Sequence, residues 1–140
     1  MFADVWVPAV VGIAMGALTL TIASEVRMTR ARSFFPAALI VISSFYLIFA
    51  IAAGNLSEFL INLLIVTLFT GLALLGYLLS LWLVVLGLLV HGLFDFAYHL
   101  HGGGPAPVWW GAFCLTFDVV FAVGLTGILR TARVSSNREE

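Results

Sequence analysis

The chain has 140 residues, of which 63% are hydrophobic and 9% charged, and its net charge is −1. An average soluble domain is about 25% charged, and a mean hydropathy of +1.17 leaves far more apolar surface than a soluble fold of this length can hide. Lipid is therefore the expected solvent for most of the chain. The near-neutral balance argues against a nucleic-acid partner, and the single cysteine, Cys114, excludes an intramolecular disulfide.

The N-terminus, Met1-Phe-Ala-Asp4-Val-Trp6, carries no positive leader. The first apolar run thus reads as a retained span rather than a cleaved signal peptide. Five apolar segments follow in chain order, each near the ~20 residues that a bilayer core requires. The first covers about 5–24 and ends in Glu25-Val-Arg27-Met-Thr-Arg30-Ala-Arg32, where Glu25 reads as a headgroup-level ion-pair partner of Arg27 and Arg30. The second covers 34–53 and stops at Gly54-Asn55. An unbroken run from Phe59 to Tyr98 is too long for one span and fits two, at 59–77 and 80–99, with a turn near Gly76–Ser80. His101-Gly-Gly-Gly-Pro105-Ala-Pro107 is a loop, and the fifth span covers 108–129. Residues 1–130 form one transmembrane domain, and 131–140 a polar, frayed tail.

All six basic residues are arginines. They fall between spans one and two and in the C-terminal tail, which five spans place on one side of the membrane. The positive-inside rule makes that side cytoplasmic and puts the N-terminus outside. Trp6, Trp109 and Trp110 then fall at the outer interface and Trp82 near the inner one, as in aromatic belts. Gly12-Ile-Ala-Met-Gly16 is a GxxxG step, read as packing within the bundle, with dimerisation as the minority alternative.

Against this background a few ionisable residues stand out. One segment reads His91-Gly-Leu-Phe-Asp95-Phe-Ala-Tyr-His99, and Asp118 lies alone in the last span. A carboxylate in a span costs about 2.5–3.5 kcal/mol on insertion scales, so such residues face a protein interior or a wet cavity and mark a site by default. His91, Asp95 and His99 are spaced i, i+4, i+8 on one helical stripe. Cys114 is one turn from Asp118; Glu58 and Asn62 open the third span; Ser43 and Tyr46 lie at middle depth in the second. All belong to the outer half or the middle, so one pocket open to the outside would collect them.

Three chemistries remain open. In the first, His91, Asp95, His99 and Asp118 ligate a divalent transition metal, since imidazole and carboxylate suit zinc, iron, copper or manganese. In the second, His91, Asp95 and Asp118 are catalytic and move protons on a lipophilic small molecule, because a buried carboxylate beside an imidazole can exchange a proton near neutral pH. Glu58, Asn62, Cys114 and Tyr46 would line that pocket. In the third, the polar residues are interhelical glue in a non-enzymatic subunit or assembly factor of a membrane complex, or in a homo-oligomer. An ion or proton pathway would also need polar groups through the inner half, where the sequence has almost none.

The run His91-Gly-Leu-Phe-Asp95…His99, followed by Pro107-Val-Trp109-Trp110…Cys114…Phe117-Asp118, resembles a family of small bacterial multi-span membrane proteins. That family carries H-G-x-x-D…H…P-x-W-[WY]…C…F-D in its last two spans and has no assigned activity. The likeness covers the C-terminal third, with a looser match over Glu25–Phe49, and implies a bacterial inner-membrane location. The His91-x-x-x-Asp95 step also resembles membrane hydrolases of the alkaline ceramidase type; the seven spans and further HxxxH of those enzymes have no counterpart in this chain.

Overall fold

The computed structural model describes residues 3–102 and 104–136. Five long helices account for most of them: α1 (Ala3–Glu25), α2 (Phe34–Ala52), α3 (Leu56–Leu78), α4 (Trp82–Leu100) and α5 (Trp110–Ser136), with a short 3₁₀ turn at Met28–Arg30. Among the described residues there is no strand. All five helices are long and apolar enough to cross a membrane. In lipid a backbone must satisfy its own polar groups, and a continuous apolar run does so by forming a helix.

The helix boundaries depart from the sequence reading in three places, each for a physical reason. The turn between α3 and α4 lies at residues 79–81, beyond Gly76. Gly76 is inside α3, buried, and a Cβ there would collide with Val84, so this glycine serves close packing of α3 on α4 and not the turn. Helix α3 starts earlier than 59, because Asn55 caps it by accepting the backbone N–H of Glu58 at 3.2 Å. Helix α5 starts at Trp110 and continues to Ser136. Thr131-Ala-Arg-Val134 holds neither glycine nor proline to stop it, so residues 131–136 are helix and not a frayed tail. Residues 137–140 lie outside the described residues.

Helices α2 to α5 enclose the core, and α1 packs on the outside of α5. The GxxxG step makes that contact: a Cβ on Gly12 would strike Thr116 and the Phe113 carbonyl, and one on Gly16 would press Val120. The Thr116 hydroxyl donates across the same seam to the Ala9 carbonyl at 2.9 Å. The step is thus used within the chain. Much of the rest of α1 is apolar and exposed, including Val7, Val10, Ile13 and Leu18, as a lipid-facing helix should be.

Short links between successive helices make them alternate in direction. The end that carries the α1–α2 link therefore also carries the α3–α4 turn and the C-terminal part of α5, and with them Arg27, Arg30, Arg32, Arg130 and Arg133. At this basic end the Arg32 side chain donates through Nε to the Tyr77 carbonyl at 2.7 Å, tying the link to the end of α3. Glu25 is exposed, and among the described residues it forms no ion pair with Arg27 or Arg30. The half of the bundle toward this end is filled by Phe35, Leu39, Ala73, Val84, Leu88, Phe121 and Leu125. At the opposite end, where Glu58 lies, Trp6 and Trp109 are exposed as belt residues are, and so is Trp82 at the basic end. Trp110 departs from the belt: it is only 8% exposed. Its ring packs edge-on against Phe49 at 4.8 Å, filling the space between α2 and α5.

Candidate buried acid–base site

On α4, His91 and Asp95 are one turn apart on the inward face. Helix α5 brings Asp118 to the same level. Two glycines allow the approach. Gly92 faces α5 so closely that a Cβ would lie 3.0 Å from the Leu115 Cα and 3.2 Å from the Asp118 Cβ. Gly111 answers from α5, where a Cβ would lie 2.9 Å from the Asp95 carbonyl oxygen and 3.3 Å from the Phe96 Cα. The pair brackets the site, and any larger side chain at either position would push α4 and α5 apart at that level.

The result is a row. The His91 Nδ1 and an Asp118 carboxylate oxygen are 2.8 Å apart, a full hydrogen bond between groups that are 1% and 0% exposed. On the other side of the ring, Nε2 lies 3.8 Å from an Asp95 oxygen. The imidazole thus stands between two carboxylates, bonded to one and adjacent to the other. An edge-on contact with Phe69, ring centroids 4.8 Å apart, fixes the plane of the ring. The thiol of Cys114 and the hydroxyl of Tyr46 face the Asp95 carboxyl. Among the described residues neither makes a full hydrogen bond, and both Asp95 oxygens remain without a partner, as does the second oxygen of Asp118. A buried polar group left unpaired costs about 1–3 kcal/mol, so Asp95, with both oxygens open, carries the largest unmet demand in this row.

The expected ligand and pocket residues divide into three groups. His91, Asp95, Asp118, Cys114 and Tyr46 are brought together. Glu58 and Asn62 form a second polar group nearer the end of the bundle. There the Asn62 amide donates to the Glu58 carbonyl at 2.8 Å and approaches the Glu58 carboxylate at 3.5 Å. His99 joins neither; its Cβ lies where α4 crosses Gly111, and among the described residues it makes no side-chain hydrogen bond. The four-ligand set His91, Asp95, His99 and Asp118 therefore does not gather around a point. Among the described residues no group of three or more His, Cys, Asp or Glu side chains is arranged to hold a metal ion. Carboxylates on opposite nitrogens of one ring are poorly placed to share an ion, because ligation needs donors that converge. Ser43 is buried, but its hydroxyl donates to the Ile40 carbonyl of its own helix at 3.0 Å.

Tyr98 was not singled out by its sequence context, yet its hydroxyl donates to the Glu58 carboxylate at 3.4 Å. Its ring stands against that of Tyr46, centroids 6.2 Å apart. The available signal was spacing: Tyr98 follows Asp95 by three residues, and so lies on the same side of α4. The site also differs from an open pocket. His91, Asp95 and Asp118 are each at most 1% exposed, shut in by Phe69, Tyr46 and Cys114. Comparison with known proteins adds no further guide: no protein-family model, no curated protein and no solved structure matches the chain.

Proposed function

We propose that this chain is a membrane-embedded acid–base protein acting on a lipophilic small molecule. His91 exchanges the proton, Asp118 holds the imidazole in orientation, and Asp95 meets the ligand. Tyr46 and Cys114 line the ligand side. The observation that supports this reading is the pairing of a hydrogen-bonded dyad, Asp118 to His91 at 2.8 Å, with a neighbouring carboxylate that has no partner on either oxygen among the described residues. Base, orienting acid and unsatisfied acceptor in sequence are the parts that general acid–base catalysis needs. The site is sealed from water, so a ligand soluble in the bilayer is the chemical class that suits it. The positive-inside rule places the basic end in the cytoplasm and the N-terminus outside, and the resemblance to small bacterial membrane proteins suggests the inner membrane.

The test is co-purification. Protein extracted in mild detergent, wild type beside His91→Ala and Asp95→Asn, is analysed by mass spectrometry for bound lipophilic molecules and by elemental analysis for metal. The expected result is one class of organic molecule, carried by the wild type and lost from Asp95→Asn while the helical circular dichroism is unchanged. A near-stoichiometric metal lost from both variants would replace this reading with a metal centre. Loss of folding in both variants, with no bound molecule in the wild type, would leave the polar residues as interhelical glue in a subunit of a larger complex.

A further inference from the structure

We infer that the buried row has a one-sided proton route, leading from Asp95 through the hydroxyls of Tyr46 and Tyr98 to Glu58 at the end of the bundle away from the arginines. The inference rests on the acid–base reading for its purpose, but not for its geometry. Glu58 is half-buried in the first turn of α3, at the surface end of the route. The Tyr98 hydroxyl donates to it at 3.4 Å from α4. The Tyr46 ring from α2 stands edge-on to Tyr98, centroids 6.2 Å apart, and its hydroxyl lies on the Asp95 side of the row without a full hydrogen bond to either group. Asp95 lies 3.8 Å from the His91 Nε2, and His91 is bonded to Asp118. Four helices thus contribute successive groups, each able to take and give a proton, from the edge of the bundle to its middle.

The other direction is closed. Beyond His91 toward the basic end, the space between the helices is occupied by Phe35, Leu39, Phe69, Val84, Leu88, Phe121 and Leu125. None of these can carry a proton, and their packing leaves no polar step for a water chain. A proton that leaves His91 therefore exits by the Glu58 end. A transfer along the route forms an O–H bond at each acceptor as the O–H bond behind it breaks. Each tyrosine gives its own proton onward and receives one from the group before it, so both hydroxyls end protonated and must turn about their C–O bonds before the next transfer. The outermost step has its donor and acceptor in place, the Tyr98 hydroxyl and the Glu58 carboxylate 3.4 Å apart.

Asn62 supports the outer step. Its amide N–H approaches the same Glu58 carboxylate oxygen that the Tyr98 hydroxyl meets, at 3.5 Å, while its own carbonyl oxygen is buried and without a partner among the described residues.

The experiment follows the ring N–H of His91, which a histidine carries in every protonation state. His99→Gln and His101→Gln leave His91 as the one remaining histidine of the three. The protein is labelled with ¹⁵N-histidine, placed in lipid nanodiscs and moved to heavy water, and the loss of the ring N–H signal is timed by NMR. Glu58→Gln and Tyr46→Phe should each slow the exchange about tenfold or more, and Tyr98→Phe should do the same. Leu88→Val, in the apolar half, should leave the rate unchanged. Equal rates in the wild type and in all three route variants would overturn the route, whatever the co-purification experiment finds. Slowed exchange in a protein that carries no ligand would keep the route and remove the catalytic reading, so the two can fail separately. Should Glu58→Gln not fold, Tyr46→Phe and Tyr98→Phe remove single hydroxyls and decide the matter alone.

Discussion

The two halves of this bundle, divided at the level of His91, are built on different principles. Toward the arginines, Leu39, Val84 and Leu88 are fully buried and the contacts are those of a close-packed apolar core. Toward Glu58, the same helices enclose His91, Asp95, Asp118 and Asn62, all at most 1% exposed. Apolar side chains suited to lipid face outward from both halves, so nothing in the surroundings calls for polar groups in one of them. The difference is internal: one half supplies stability, and the other spends some of it on a set of unsatisfied acceptors.

The strongest way to break this comparison is to move a charge across the dividing level. Leu88→Asp places a carboxylate among Val84, Phe121 and Leu125 with no partner in reach. The insertion cost of about 3 kcal/mol adds to about 2–5 kcal/mol for the lost side chain. The expected outcome is little or no folded protein, read as the yield of monodisperse material on size exclusion. Asp118→Ala should be the next most damaging. It strips His91 of the only full hydrogen bond its ring makes among the described residues, and breaking a buried pair from one side costs about 3–5 kcal/mol. Reversible unfolding in mixed micelles measures it. His91→Leu combined with Asp118→Leu should recover most of that loss, because paired replacement by apolar residues is close to neutral.

Gly92→Ala sharpens the comparison at the contact between α4 and α5. The new methyl would lie 3.0 Å from the Leu115 Cα, tighter than ordinary packing allows. A loss of about 1–3 kcal/mol is expected, as for overpacking in a close-packed interior. Gly71, where a Cβ would meet nothing within 4 Å, provides the control, and Gly71→Ala should not destabilise α3. A flat response at Gly92 would mean that α4 and α5 can separate without disturbing the site.

The sequence carried some of this plainly and some not at all. Five apolar runs bounded by Arg27–Arg32, Gly54-Asn55 and the glycine loop at 101–107 give five helices, because length and hydropathy alone decide what spans lipid. His91, Asp95 and Asp118 were visible as charges with no business in an apolar run, and helical spacing put the first two on one face. Spacing does not tell which way a ring nitrogen points, so it could not separate a convergent metal cluster from a row with carboxylates on opposite nitrogens. Trp110 looked like a belt residue beside Trp109, but a helix turns about 100° per residue. The neighbours therefore face differently, one outward and one against Phe49. Gly76 reads as a turn signal in any apolar run; only the approach of Val84 shows that it is a packing residue.

The smallest expected effect is also the most discriminating, and it lies within the polar half itself. Asp118 and Asp95 are both completely buried, yet the first is bonded to His91 and the second has no hydrogen-bond partner among the described residues. If the row were structural glue, the two should cost about the same to replace. If Asp95 is held ready for a ligand, its replacement should cost nothing and should relieve the desolvation that its unpaired oxygens suffer. Asp95→Asn keeps the size and shape of the side chain and removes the negative charge. It is expected to unfold at a stability equal to the wild type or up to about 1 kcal/mol higher, within the range typical of stabilising changes at functional sites. The same unfolding assay used for Asp118→Ala measures it. A loss comparable to that of Asp118→Ala would show that Asp95 helps to hold the helices together, and the division between a bonded dyad and a waiting carboxylate would be gone.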